Sequence, residues 1–262
     1  DQTDARRNER MRVDFLANAS HELRTPLASL SGFIETLRGH ARDDEAARDR
    51  FLGVMQGQAE RMARLIDDLL ALSRIELNEH IPPLDRVDLA YAVGEVVEAL
   101  APIATDREVT LDLTVRAPTV VVGDRDQIIQ MAQNLVANAL KYAPSGSSVR
   151  VGVSGGLTAG QAIDTGGDGS RARHALVTPD AGERRFVALS VSDAGPGLAR
   201  EHLPRLSERF YRAPGQKSGE RSGTGLGLAI VKHLINRHQG GLSVESELGM
   251  GASFVAYLPQ AR

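Results

Sequence analysis

The sequence predicts an α-helical hairpin that pairs into a dimeric four-helix bundle, followed by an α/β sandwich built on a mixed sheet. Three observations carry this: two heptad series fill the first part of the chain, Pro82 and Pro83 close them, and short β-rich runs then alternate with helical patterns.

The first heptad series places Ser20, Leu27 and Ile34 at a positions and Leu16, Leu23, Leu30 and Leu37 at d positions. The second runs Phe51, Met55, Gln58, Met62, Leu65, Leu69, Leu72. Between them Gly39 to Asp44, GHARDD, reads as a helix stop followed by an acidic first turn. A lone hairpin with narrow seams cannot cover its own apolar face, so a second copy of the chain should complete the bundle as a homodimer. The proline pair sets a boundary near residue 80, giving an N-terminal domain over 1–80 and a second over 81–262.

In the second domain strands are expected at Val109–Val115, Val120–Val122, Val149–Val153, Phe186–Ser192, Leu242–Glu245 and Ser253–Leu258. Helices are expected at Leu89–Ala104, Asp126–Tyr142, Arg200–Glu208 and Thr224–Arg237, covering one face of the sheet. The stretch 154–185, rich in Gly, Ala, Asp and Arg, lacks a sustained apolar period. It reads as a flexible insertion between two strands, with room for a short hairpin of its own; a tolerated surface loop is the plainer alternative.

Composition narrows the function classes. Net charge is -3, with 31 basic residues interleaved among 34 acidic ones, so no basic stripe points to nucleic acid. The absence of cysteine excludes disulfides, thiolate metal sites and cysteine catalysis, and fits a reducing compartment. No apolar run approaches the ~20 residues needed to span a bilayer, so no membrane contact is expected within this chain.

Chemistry first appears in FLANASHELRTPLASL, Phe15 to Leu30. His21 falls at a b position, outside the apolar seam, with Thr25 one turn further along the same face and Glu22 the next residue round the helix. A helix would present a nucleophilic imidazole to a partner in this way. Pro26 frees the carbonyl of Glu22 from its helical partner and should bend or soften the helix there.

Three clusters follow in the second domain. In QNLVANALKYAP, Asn134 and Asn138 share a helix face and Lys141 lies one turn beyond Asn138. A carboxamide oxygen suits Mg2+ and a lysine suits a phosphate, although a polar helix face has the same pattern. In SDAGPGL, Asp193 at a strand end can accept a hydrogen bond from an exocyclic amine such as that of adenine, while glycines let the backbone pass close to a planar ligand; a plain turn is the alternative. In SGTGLGLAIVKHLI, glycines precede an amphipathic helix and aim amides at an anion, or simply cap that helix. The string is neither a Walker A motif nor a Rossmann fingerprint. Between the last two clusters Glu208 to Ser222 reads as a lid, with Phe210 docked in the core and Arg212 and Lys217 facing phosphates.

HELRTP, the asparagine helix, DAGPG, ERFYR and GTGLGL, in this order, resemble the transmitter region of the sensor histidine kinases of two-component signalling, over nearly the whole chain. The string VDFLANASHELRTPLASLSGFIETL is most similar to the phosphate-regulon sensor kinases. The resemblance implies a dimerisation and histidine phosphotransfer domain, then a catalytic ATP-binding domain of the Bergerat (GHKL) type with an ATP lid over 198–223. It implies ATP-dependent protein-histidine kinase activity with His21 as phosphoacceptor, Glu22 as the base that activates it, and Thr25 positioning water for dephosphorylation of a response regulator receiver domain. Asn138 would hold Mg2+ with Asn134 nearby, and Lys141 and Tyr142 would line the nucleotide. Asp193 would read adenine, Gly195 and Gly197 would shape its pocket, and Phe210 and Arg212 would belong to the lid. Gly223, Thr224, Gly225, Leu226, Gly227 and Leu228 would form the phosphate end. Gly249 and Gly251 resemble a further glycine element, read here as a turn. The polar opening DQTDARRNERMR resembles the tail of a signalling linker, so the chain is expected to be the cytoplasmic part of a longer, membrane-anchored bacterial sensor. The competing readings are a Bergerat-type ATPase that forms no phosphohistidine and a dimeric nucleotide-binding scaffold without turnover. The other histidines, His40, His80, His174, His202, His233 and His238, are read as structural.

Overall fold

The structure, a computed structural model, describes residues 2–39, 44–167, 169–180, 182–214 and 223–261, with side chains described from residue 17 onward. Lys217, Ser222 and the side chain of Leu16 therefore lie outside the described residues, as does most of the break after Gly39. The chain forms two compact units. One comprises the helical segment up to Ala71 together with Gly223–Leu226, and the other takes the remaining described residues.

In the first unit α1 (Gln2–Arg38) and α2 (Glu45–Asn78) form the hairpin. Gly39 closes α1 through its amide on the Glu35 carbonyl, and Asp44 opens α2 by accepting from the Ala47 amide at 2.9 Å. Along α2 every member of the heptad series from Phe51 to Leu72 is turned at least partly inward. The first series behaves differently. On α1 the apolar residues withdrawn from solvent are Ala19, Leu23, Pro26, Leu30, Phe33 and Leu37, a g and d seam, and Phe33 meets Phe51 with ring centroids 5.3 Å apart. The a residues Leu27 and Ile34 instead stand outside, 54% and 46% exposed. A helix in a bundle touches two neighbours, so its apolar stripe is wider than one seam and the hairpin partner covers only one flank of it.

The second unit begins with the last turns of α2, where Leu72 and Ile75 are buried. Just beyond the helix, Glu79 receives hydrogen bonds from Asn236 and the His233 imidazole, and Arg237 donates to the Ile81 carbonyl. β1 (Arg86–Asp88) then pairs with β3 (Val120–Val122) as a small separate ladder. α3 (Leu89–Asp106) lies between them in sequence, capped by Asp88. The main sheet holds β2 (Thr110–Arg116), β4 (Ser148–Leu157), β5 (Ala172–Val177), β6 (Phe186–Asp193), β7 (Gly241–Ser246) and β8 (Ala252–Pro259). Its order is β2-β4-β6-β8-β7-β5; β2 and β4 run parallel and every other pair is antiparallel, so the sheet is mixed, as expected. α3, α4 (Arg125–Tyr142) and α6 (Gly227–Arg237) pack on one face, α4 between the other two.

His238 shows why most of the histidines were read as structural. Buried after α6, it donates from Nδ1 to the Leu234 carbonyl and accepts the Asp124 amide at Nε2, which joins the end of α6 to the start of α4. Burial lowers its pKa, in keeping with a neutral ring.

The stretch 154–185 departs from its compositional reading. Among its described residues there is no hairpin of its own. β4 continues to Leu157, α5 (Ala159–Asp164) follows with a Thr158–Gln161 capping box, and β5 pairs antiparallel with β7 as a new edge strand. Ala162 packs with Phe186, Ala188, Val255 and Tyr257 on the outer face of the sheet. Sidedness explains the missing apolar period: a short helix and an edge strand bury only a few small residues, too few to register as periodicity.

Candidate functional site

In the helical unit the chemistry lies on α1. His21 is exposed, and Thr25 Oγ1 donates to the His21 carbonyl at 3.3 Å, one turn back along the helix. Glu22 is half-buried and takes a hydrogen bond and ion pair from Arg61 of α2 through Oε2 at 3.2 Å. Arg61 was not singled out by sequence; its proximity to Glu22 exists only once the hairpin folds. α1 runs through Pro26 as one helix, with the proline ring buried in the seam and the Glu22 carbonyl lacking its usual amide donor. Gly223–Leu226 group with this unit: Thr224 Oγ1 donates to Asp68 at 2.6 Å and receives the Leu226 amide, around Gly225 at φ +75°. Burial raises the Asp68 carboxyl, against the pull of that Thr224 hydrogen bond.

In the α/β unit the site is built at the end of β6 and along α4. Asp124 caps α4, whose buried face carries Met131, Leu135, Val136 and Leu140. The helical period then leaves Asn134, Asn138, Lys141 and Tyr142 half-buried. Asn134 donates to the Gln130 carbonyl at 3.0 Å, and its oxygen lies where a Cβ on Gly227, the first residue of α6, would come within 2.9 Å, so a larger residue there would displace the Asn134 amide. Leu228 follows it, half-buried. Among the described residues Asn138 has no side-chain hydrogen-bond partner, which leaves its carboxamide oxygen available as a hard ligand. The Lys141 ammonium sits 4.7 Å from the centroid of the Tyr142 ring.

Asp193 is the last residue of β6, where strand alternation turns it to the helical side. Its Oδ1 accepts the Gly195 amide at 2.8 Å. Burial pushes its carboxyl up to about 6, against the pull of the Gly195 and Ala252 amides and of the Arg171 cation. The glycines around it are fixed by close approach. A Cβ on Gly195 would come within 2.6 Å of Asp193 Oδ1, and one on Gly197, at φ +67°, would overlap the Glu247 carbonyl. Gly249 and Gly251 form the β7–β8 turn expected of them. Gly251 passes against the Asp193 carbonyl, and the Gly249 amide donates to Pro196 at 2.8 Å. Ser246, fully buried and unmarked by any motif, bridges the two loops: its hydroxyl takes the Leu198 amide at 2.9 Å and donates to the Gly251 carbonyl at 2.7 Å.

After the 3-10 helix Arg200–Arg205 the lid sequence begins. Phe210 is only half-buried rather than docked in the core, and its backbone takes φ +62°, strained for a bulky side chain. Tyr211 is held by His202 at 2.7 Å and by Arg205, whose guanidinium stands 4.3 Å from its ring centroid. Arg212 is near enough to Tyr142 to draw its pKa down, while burial, the larger effect, raises it. Among the described residues no group of three or more His, Asp or Glu side chains is arranged to hold a metal.

The arrangement has counterparts among known proteins. Residues 11–78 match the His Kinase A (phospho-acceptor) domain, and residues 123–262 match the histidine kinase-, DNA gyrase B-, and HSP90-like ATPase family. The chain is 34% identical to the sensor-like histidine kinase SenX3 of Mycolicibacterium smegmatis, over 99% of its own length and 60% of the relative's. It is 33% identical to the phosphate regulon sensor protein PhoR of Pseudomonas aeruginosa, over 97% of its length and 51% of the relative's. The chain thus spans somewhat more than half the length of these curated relatives. Among solved structures, full-length ShkA in complex with AMPPNP superposes with a TM-score of 0.60 at 26% identity, covering 95% of this chain and 46% of that one.

Proposed function

Since the chain belongs to the histidine kinase-, DNA gyrase B-, and HSP90-like ATPase family and, with its phospho-acceptor domain, to the sensor histidine kinases, we propose that it phosphorylates His21 from ATP and passes the phosphoryl group to a response regulator. One observation carries the reading: an exposed histidine outside the packed seam of a hairpin is joined, in one chain, to a half-buried carboxylate ringed by closely approached glycines and to an asparagine whose side chain has no hydrogen-bond partner among the described residues.

In this reading Asp193 accepts the exocyclic amine of adenine on the oxygen not used by Gly195, and Tyr142, Gly195 and Gly197 flank the base. Lys141 and Arg212 neutralise phosphate charge, and Asn138 would hold the Mg2+ that accompanies ATP and supplies charge neutralisation. Gly223, Thr224, Gly225, Leu226, Gly227 and Leu228 then close on the phosphates, with Phe210 and the rest of 198–223 as lid. Positioning and electrostatics supply most of what phosphoryl transfer asks of a protein. A neutral His21 imidazole attacks the γ-phosphorus, a nitrogen–phosphorus bond forms as the bond to the β,γ-bridging oxygen breaks, and ADP leaves. Glu22 accepts the proton of the other ring nitrogen, and its pairing with Arg61 keeps it oriented beforehand. The phosphoryl group next passes to an aspartate of a receiver domain. Thr25 positions water for the reverse, dephosphorylating reaction on that regulator.

The assignment of 1–80 to dimerisation and phosphotransfer and 81–262 to ATP binding follows the same reading. The outward Leu27, Ile34, Leu52, Ile66 and Leu70 form the face that a second copy would cover. Among the described residues no helix is long and apolar enough to cross a membrane. Similarity to sensor proteins of which the chain spans 60% and 51% supports assigning this segment to the cytoplasmic side of a longer sensor. Similarity to PhoR and SenX3 supports phosphate sensing as its physiological setting.

Incubation with Mg-ATP labelled at the γ-phosphate tests the core of this. Acid-labile, base-stable label that is absent in His21→Ala is the expected result. ATP hydrolysis without labelled protein would replace the kinase with a plain ATPase.

A further inference from the structure

Residues 154–185 are absorbed by none of the roles above, yet they reach the nucleotide site from behind. The arm folds over the outer face of the sheet and is seated by two glycines: a Cβ on Gly166 would overlap Val255, and one on Gly167 would overlap the Glu245 carboxylate. Immediately beyond, Arg171 enters a nearly buried position. Its Nε donates to Glu245 Oε1 at 3.3 Å, and its Nη1 donates to the Met250 carbonyl at 3.0 Å. Met250 belongs to the turn whose next residue, Gly251, lies against the Asp193 backbone, and Ala252 pairs with Asp193 across the ladder. Arg173 takes the other oxygen of Glu245 at 2.8 Å and also pairs with Asp164 of α5.

We propose that Arg171 is a positioning residue for nucleotide binding: anchored by Glu245, it holds the β7–β8 turn against Asp193 and supplies a cation behind this carboxylate, the acceptor of the adenine amine. The inference rests on the assignment of Asp193 to adenine. It gives the arm a task in the reaction, since ordering of the arm becomes a condition for the pocket's charge state.

The electrostatics agree with the geometry. Burial raises the Asp193 carboxyl to about 6; the Gly195 and Ala252 amides oppose the rise most, and the Arg171 cation adds to them. The other charged or titratable groups around this position are Tyr142 and Lys141 of α4, Arg212 beside Tyr142, and Glu245, itself held between two arginines. Lys141 and Arg212 lie on the ligand side, whereas Arg171 acts from behind the strand and does not compete for phosphate.

The test compares Arg171→Gln, Arg171→Lys and Arg173→Gln in the full chain, measuring Kd for AMPPNP as a function of pH and KM against kcat for autophosphorylation. Protonation of Asp193 removes an acceptor, so native affinity should fall as pH drops through about 6. Loss of the cation should move this acid limb to higher pH, so Arg171→Gln is expected to bind about two-fold more weakly near pH 6, with kcat at saturating ATP unchanged. Arg171→Lys should restore the limb, and Arg173→Gln should leave it in place. Glu245→Gln, which leaves the Arg171 charge uncompensated, should move the limb the opposite way and serves if Arg171→Gln does not fold. An unmoved limb in folded Arg171→Gln, or an equal shift in Arg173→Gln, overturns the proposal. Asp193→Asn runs alongside: wild-type affinity in that variant would refute the adenine assignment itself and take this inference with it.

Discussion

On the helical side the central sheet presents Val149, Val151 and Val153 of β4, Val187, Leu189 and Val191 of β6, and Phe254, Ala256 and Leu258 of β8, all buried. On the other side the same strands present Gly152, Ser190, Ser192 and Ser253, with Phe186, Ala188, Val255 and Tyr257 as an apolar patch at one end, the two rings edge to face at 5.4 Å between centroids. The first face is closed by interchangeable apolar bulk. The second is closed by particular atoms: Gly166 places its carbonyl on both Ser192 and Ser253, and Glu245 receives two arginines from the arm. Apolar burial is non-directional and tolerates approximate shape, whereas a polar face can be covered only where each donor finds its acceptor. The site at Asp193 stands where the two kinds of packing meet.

The contrast can be broken from either side. Leu189→Ala on the apolar face should cost about 4 kcal/mol, read as a lower urea midpoint for the α/β unit, because transfer and cavity costs add there. Glu245→Ala should cost about 3 kcal/mol by the same measurement, since it leaves Arg171 buried without its carboxylate. A change of only a few tenths would mean the arm contributes little to the fold. Asp193→Asn should have the opposite sign. An acid raised on folding stabilises the fold below its unfolded value of 3.8, and that contribution is lost as pH rises through about 6. The asparagine variant escapes the loss, so at pH 7.5 it should be more stable by up to about 3 kcal/mol, the gain vanishing near pH 4. Gly167→Ala should cost about 2 kcal/mol through overlap with a carboxylate that is pinned in place. Gly160→Ala, on α5 with nothing within 4 Å of the added carbon, is the matched control and should gain about 0.5 kcal/mol or less.

The same contrast separates what the sequence discloses from what it withholds. Elements closing the apolar face announce themselves by period: α3, α4, β4, β6 and β8 fall within a few residues of their expected spans. α5 and β5 bury too little apolar surface to show a period, and the one local signal they carry, Thr158 with Gln161 as a capping box, is short enough to pass as loop. On α1 the heptad was correctly spaced, but spacing alone cannot say which flank meets α2, so Leu27 and Ile34 emerged outside the hairpin. Within the candidate site, Asn138, Asp193 and the glycines were legible because their chemistry and close approaches restrict residue type. Ser246, Arg171 and Arg61 were not, since a serine or arginine has many uses and only the fold brings these three to their partners.

Pairing of β5 with β7 also bears on how the chain avoids its neighbours while it is being made. β7 is buried from Gly241 to Ser246, and without β5 its amides and carbonyls would be an open edge carrying Leu242 and Val244, a template for another chain's strand. β5 moves that edge outward to a strand bearing Arg173 and His174, which resists strand addition. Because residues 172–177 leave the ribosome before residues 241–246, the guard is available as soon as the strand it protects emerges.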